Sequence, residues 1–126
     1  MFTGSLVALI TPFCEDGSVN YGKIEELVEW HIDQGSDGIV VLGTTGESPA
    51  LTDDEKNRVV QTAIRASGGR IPVIAGSGSN YTAEAKDQSL RFQEYGADGL
   101  LVITPYYNKT NKRGMLQHFY EIADAV

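Results

Sequence analysis

Four short apolar runs punctuate the chain, and each is followed by a helical pattern. The runs are "SLVALI" (Ser5–Ile10), "GIVVLG" (Gly38–Gly43), "IPVIAG" (Ile71–Gly76) and "GLLVIT" (Gly99–Thr104). None alternates strictly between apolar and polar residues. Continuous apolar runs of this length predict strands covered on both faces, as in parallel sheets. Helices are predicted between them. In "YGKIEELVEWHIDQG", Ile24, Leu27, Val28 and His31 share one face. "TDDEKNRVVQTAIRASGG" opens with Thr52 and Glu55 in capping-box spacing and stops at Gly68-Gly69. "TAEAKDQSLRFQEYG" ends similarly at Gly96, and "GMLQHFYEIADAV" carries Met115, Leu116, Phe119, Ile122 and Ala123. The order is βαβαβαβα, with parallel strands implied by the helical crossovers.

The 126 residues fit one domain. A (β/α)₈ barrel needs roughly 250 residues. Residues 1–126 therefore predict an α/β fold, the N-terminal (βα)₄ half of a TIM barrel. A small doubly wound sheet is the alternative, but "TPFCEDG", not a Gly-x-Gly-x-x-Gly motif, follows the first strand. "QGSDGIVVLGTT" and "YGADGLLVITPY" repeat the frame G-x-D-G ahead of an apolar strand, as repeated βα units do. Half a barrel exposes an edge on its first and fourth strands. That predicts a missing second half, pairing with another copy, or poor solubility.

Net charge is -7, so nucleic acid and anionic lipid are not natural partners. The single cysteine, Cys14, excludes an internal disulfide and suits a reducing cytoplasm. It reads as a small, buried or half-buried side chain. "MFTGSLVALITPF" lacks a basic leader and reads as a strand, not a signal peptide. No stretch reaches membrane-spanning length.

Ligand sites in βα folds lie at the C-terminal ends of strands. After the second strand, Gly43-Thr44-Thr45-Gly46-Glu47 places two hydroxyls between glycines. Its backbone N–H groups can form a nest for a carboxylate, with the hydroxyls as added donors. The plain alternative is a tight turn whose threonines bond their own backbone. "GSGSN" after the third strand can cradle phosphate but lacks a P-loop lysine; a βα loop capped by Asn80 or Thr82 is the simpler reading. "TPYYN" after the fourth strand offers phenols for proton relay or for interface packing. Thr11 lies on the same rim. His31 reads as a satisfied core histidine and His118 as partly exposed, and the histidines and cysteine are too scattered for a metal site. Lys23, Lys56 and Lys86 fall on helices, and Lys109 and Lys112 in a polar loop. None meets the desolvated strand-end setting that a Schiff-base lysine needs.

"FTGSLVALITPF", "GTTGESPALT", "IPVIAGSGSN" and "ITPYYNK" together resemble the dihydrodipicolinate synthase family, in the superfamily of class I pyruvate-dependent aldolases and lyases. The resemblance covers the whole chain but only the N-terminal half of the family's barrel. It implies a lyase without cofactor or metal, in which a lysine condenses with pyruvate and the enamine attacks aspartate semialdehyde, on the route to diaminopimelate and lysine. By match, Thr44 and Tyr107 belong to a proton relay, and Tyr107 is lent across a tight dimer. Thr45, with Gly43 beside it, matches the pyruvate carboxylate site. Ser48, Asn80, Glu84 and Tyr106 match a lysine feedback site. Asp53 and Lys56, however, stand where lysine-sensitive members carry histidines, which predicts weak or absent feedback. The covalent lysine, a second relay tyrosine and an entrance arginine fall in the other half, so this chain alone is expected to be inactive. The implied setting is a cytoplasmic homotetramer. A sister sugar-acid aldolase and a non-catalytic half-barrel assembly module are the competing readings.

Overall fold

The computed structural model describes all residues, 1–126. Four parallel strands, β1 (Leu6–Ala8), β2 (Gly38–Val41), β3 (Val73–Gly76) and β4 (Gly99–Leu101), alternate with α1 (Tyr21–Asp33), α2 (Asp53–Ser67), α3 (Thr82–Glu94) and α4 (Lys112–Ala123). The sheet order is β1-β2-β3-β4. Val7 lies opposite Ile39, Val40 opposite Ile74, and Ala75 opposite Leu100. A doubly wound sheet reverses its strand order at a switch point. This one never does, and it is the N-terminal (βα)₄ half of a TIM barrel.

Burial corrects one expectation. Ile39 and Val41 of β2 and Val73 and Ala75 of β3 are buried, whereas Val40 and Ile74 between them are only half-buried. Ala8, in register with Val40, is exposed. The strands are thus not covered equally on both faces. The buried residues join Ile24, Val28, Val59, Val60, Ala63 and Phe92 from the helices in one core, and the concave face stays more open. The outer strands are also shorter than the apolar runs that contain them, since each has a hydrogen-bonded neighbour on one side only.

The repeated G-x-D-G frame has a structural cause. Asp37, just before β2, accepts a hydrogen bond from the backbone N–H of Ser5 at 2.7 Å. Asp98, just before β4, accepts one from the N–H of Val73 at 2.9 Å. Each aspartate fastens its own strand to the start of the preceding one, and so sets the register.

The helix termini follow their sequence signals. Asn20 caps α1 by accepting from the N–H of Lys23. Thr52 and Glu55 form the capping box of α2, and Gly68 ends it at φ 56°. α3 differs: Tyr81 is its N-cap and no side chain caps it, neither Asn80 nor Thr82. Thr82 Oγ1 instead bonds His118 Nδ1 at 2.9 Å. His118 is therefore buried, not partly exposed, and Met115 and Leu116 face outward in its place. His31 is half-buried and bonds Ser36 Oγ through Nδ1. Cys14 is exposed, because the loop carrying it projects beyond the sheet, closed by a bridge between Phe13 and Val19.

Candidate active site and an adjoining cavity

The turn after β2 is built from strained backbone. Leu42 is buried at φ 58°, and Glu47 lies at φ 52°. Such left-handed conformations cost a residue with a side chain about 1–2 kcal/mol each. Between them Thr44–Gly46 forms one 3₁₀ turn. It is closed by the N–H of Gly46 on the carbonyl of Gly43 at 2.9 Å and the N–H of Glu47 on that of Thr44 at 3.1 Å. A second turn, Ser48–Ala50, leads to α2.

Thr44 and Thr45 sit side by side on this turn, both exposed. Neither hydroxyl takes part in a hydrogen bond with the chain, in contrast to those of Thr11, Ser77 and Ser79. They are therefore not spent on bonding their own backbone. Thr11 makes the opposite choice: its hydroxyl is buried and donates to the carbonyl of Gly46 at 2.7 Å.

The loop after β3 is less suited to an anion than its glycines and serines suggest. Ser77 is buried and shares a hydrogen bond with Ser89 Oγ at 2.8 Å. Ser79 Oγ donates to the carboxylate of Glu84 at 2.6 Å, and Gln88 Nε2 donates to the other oxygen at 3.3 Å. A phosphate here would meet the Glu84 carboxylate. After β4, Asn108 Nδ2 donates to the carbonyl of Asn80 at 3.1 Å and ties the two loops together. Tyr107 stands at φ 65° with 96% of its surface exposed.

These loops enclose a cavity of about 600 Å³. Gly43, Thr44, Ser48, Asn80, Glu84 and Tyr106 all line it, together with Lys56 and Gln88. Thr45 and Tyr107 lie outside its wall. A larger, shallow groove of about 840 Å³ runs over α1 and α2 beside Glu25, Glu29 and Trp30, away from the strand ends. Lys56 lies on the wall of the cavity of about 600 Å³. Its side chain is only 13% exposed, with Nζ 3.4 Å from Asp53. It puts a cation on the cavity wall across which Glu84 supplies an anion. Helical spacing showed Lys56 on α2 but not which wall it would face. Gln88 could have been found from its spacing of four residues to Glu84, a pair that meets on a helix.

The remaining lysines, Lys23, Lys86, Lys109 and Lys112, are exposed on helices or the last loop. None of the five stands at a strand end.

The family model for the dihydrodipicolinate synthetase family matches residues 1–126. The chain is 54% identical over 126 residues to 4-hydroxy-tetrahydrodipicolinate synthase of Agrobacterium fabrum (strain C58 / ATCC 33970), covering 100% of this chain and 43% of that protein. It is 51% identical, with the same coverage, to the enzyme of that name from Acidiphilium cryptum (strain JF-5). Among solved structures it is similar to the chloride-inhibited dihydrodipicolinate synthase of Acinetobacter baumannii complexed with pyruvate. There the TM-score is 0.98 at 46% identity, over 100% of this chain and 43% of that one. The dihydrodipicolinate synthase of Aquifex aeolicus gives a TM-score of 0.96 at 51% identity, over 99% and 42%. The chain thus spans less than half the length of the proteins it matches.

Proposed function

The chain belongs to the dihydrodipicolinate synthetase family, and from that premise we propose that it supplies the carboxylate-holding and proton-relay half of a pyruvate-dependent Schiff-base lyase. The observation that carries this reading is the pair of exposed, unengaged hydroxyls of Thr44 and Thr45 at the C-terminal end of β2. The similar Acinetobacter baumannii enzyme is described in complex with pyruvate.

In this reading Thr45 and the N–H groups beside Gly43 hold the pyruvate carboxylate. The keto carbon is then left for a lysine amine, which adds with loss of water to give an imine. Loss of a methyl proton makes the enamine, and the enamine carbon attacks the aldehyde of aspartate semialdehyde. Thr44 passes protons between the reacting centre and tyrosines, Tyr107 among them. A phenol exposed to this degree on its own chain suits donation to a neighbouring subunit, and the assembly we propose is a cytoplasmic homotetramer. The covalent lysine lies outside residues 1–126, because none of the five lysines here occupies a desolvated strand end. The condensation then needs more than this chain.

The cavity lined by Ser48, Asn80, Glu84 and Tyr106 is the effector site in this reading. Lys56 on its wall repels a basic amino acid, so feedback by lysine is weak or absent.

The test is to incubate the chain with pyruvate, reduce with borohydride and weigh the intact protein. The expected result is no stoichiometric adduct, while pyruvate perturbs the amide resonances of Thr44 and Thr45. An adduct on one lysine, or shifts confined to other parts of the chain, would overturn the assignment.

A further inference from the structure

We propose that Thr11 is a positioning residue that sets where Thr44 and Thr45 stand. The proposal rests on the reading of that turn as the carboxylate site.

The turn from Leu42 to Glu47 is held by few hydrogen bonds. Its own two backbone hydrogen bonds close the 3₁₀ turn but do not fasten it to the sheet. It is bounded at both ends by left-handed residues, Leu42 and Glu47. Conformations of that kind persist only where the surroundings impose them. One side chain from another element reaches the turn with a hydrogen bond: Thr11, whose buried hydroxyl donates to the carbonyl of Gly46 at 2.7 Å. That carbonyl belongs to the same peptide unit as the N–H of Glu47, which closes the turn on Thr44. Because the Thr44 and Thr45 hydroxyls have no partners in the chain, only the backbone and the few χ1 rotamers of a branched side chain set where they stand.

The other end of this clamp is firm. Thr11 precedes Pro12, which confines it to extended backbone. Its branched Cβ restricts χ1. The carbonyl of Pro12 accepts from the N–H of Asn20 at 2.8 Å, and this closes the loop behind it. On the receiving side, a Cβ on Gly46 would sit 3.3 Å from the carbonyl oxygen of Leu9 and 3.4 Å from Thr11 Oγ1. The exit of β1 and the turn after β2 therefore meet closely at Gly46, where a side chain would force its neighbours to give by a few tenths of an ångström. A hydroxyl at position 11 and a glycine at position 46 are two halves of one fitting.

The experiment uses the full chain and two readouts: pyruvate titration by NMR, and hydrogen exchange of the Gly46 and Glu47 amides relative to amides in α2. Four variants are compared. Thr11→Val keeps the shape and removes the donor. Thr11→Ser keeps the donor. Gly46→Ala crowds the same contact from the other side. Ile24→Val loosens the core far from the turn and serves as a control for lowered stability. Loss of one buried hydrogen bond predicts pyruvate binding weaker by about fivefold in Thr11→Val, with a comparable gain in relative exchange of Gly46 and Glu47. Gly46→Ala shifts both readouts in the same direction. Thr11→Ser and Ile24→Val stay within twofold of the parent chain, a margin set by the same loss. Equal loss in Thr11→Val and Ile24→Val would reduce Thr11 to a general structural role and overturn the proposal. So would unchanged exchange of Gly46 and Glu47 in Thr11→Val. If the parent chain itself fails to bind pyruvate, the carboxylate reading fails. The positioning claim is then decided by exchange alone, selective loosening upholding it and no change refuting it.

Discussion

The contact between Gly76 and Leu42 gives the sharpest test of how the site is held. A Cβ built on Gly76 would lie 2.1 Å from the carbonyl oxygen of Leu42, 2.6 Å from its carbonyl carbon and 3.0 Å from the nitrogen of Gly43. Ordinary contact begins near 3.4 Å, so more than an ångström must be gained. The atoms in the way are backbone, and Leu42 is buried in a left-handed conformation that leaves little freedom to swing aside. Overpacking a well-ordered site costs about 1–3 kcal/mol, and an obstructing carbonyl places Gly76→Ala at the upper end. With a urea slope of about 1.5 kcal/mol per molar, the unfolding midpoint falls by about 2 M. Gly43→Ala is the matched control. Its Cβ would meet only Leu101 Cδ2 at 3.7 Å and Val40 Cγ1 at 3.8 Å, and it should stay within about 0.5 kcal/mol of the parent. Urea denaturation followed by far-UV circular dichroism measures both. A Gly76→Ala midpoint indistinguishable from the parent, or an equal fall in both variants, would refute the reasoning.

Three further outcomes are expected. Lysine titrated into the chain should leave the amides of Ser48, Asn80 and Glu84 unmoved, whereas Lys56→Gln, with one cation fewer on the cavity wall, should allow weak binding; saturable lysine binding by the parent chain would contradict this. Arg70 hydrogen-bonded to Glu29 holds that carboxylate below its ordinary range, and the N–H and hydroxyl of Thr52 do the same for Glu55. Groups with depressed values in the folded state stabilise above the ordinary carboxylate range and lose that contribution as pH falls through the folded value. Thermal melts should therefore drop as pH is lowered below about 4.5, and less steeply in Arg70→Met. Thr52→Ala removes the capping hydroxyl of α2 and should cost about 1 kcal/mol at neutral pH, read from the same urea curves.

The fold was legible because its signals are local and mutually consistent. Continuous apolar runs, the capping box at Thr52 and Glu55, and the stop at Gly68 each specify an element without help from the rest. The misreadings share a cause in tertiary geometry. Of the apolar residues named on α4 only Ile122 is fully buried; the wall the helix packs on is α3, where Thr82 offers a hydrogen bond. His118 takes the buried position on that account, and Met115 and Leu116 do not. Cys14 read as buried because it follows an apolar strand, whereas the bridge from Phe13 to Val19 lifts the loop away.

The site was legible in composition and hidden in its support. The hydroxyl pair Thr44–Thr45 and the phenols Tyr106–Tyr107 announce themselves as polar groups where strands end. What sequence could not distinguish was which hydroxyls remain available, since threonine serves equally as ligand donor and backbone tie. The structure separates these uses. Thr11 and Ser79 are committed to Gly46 and Glu84, and Thr44 and Thr45 are not. The division has a physical logic. A hydroxyl has a single proton to donate, and in the proposed reading Thr44 and Thr45 keep theirs for the ligand; the securing is passed to a neighbouring strand, where a pre-proline threonine has the least freedom to give way. The same logic reaches β3. There the absence of a side chain at Gly76 lets the Leu42 carbonyl close in, and the turn is fixed from both sides by residues other than the two threonines proposed to meet the ligand.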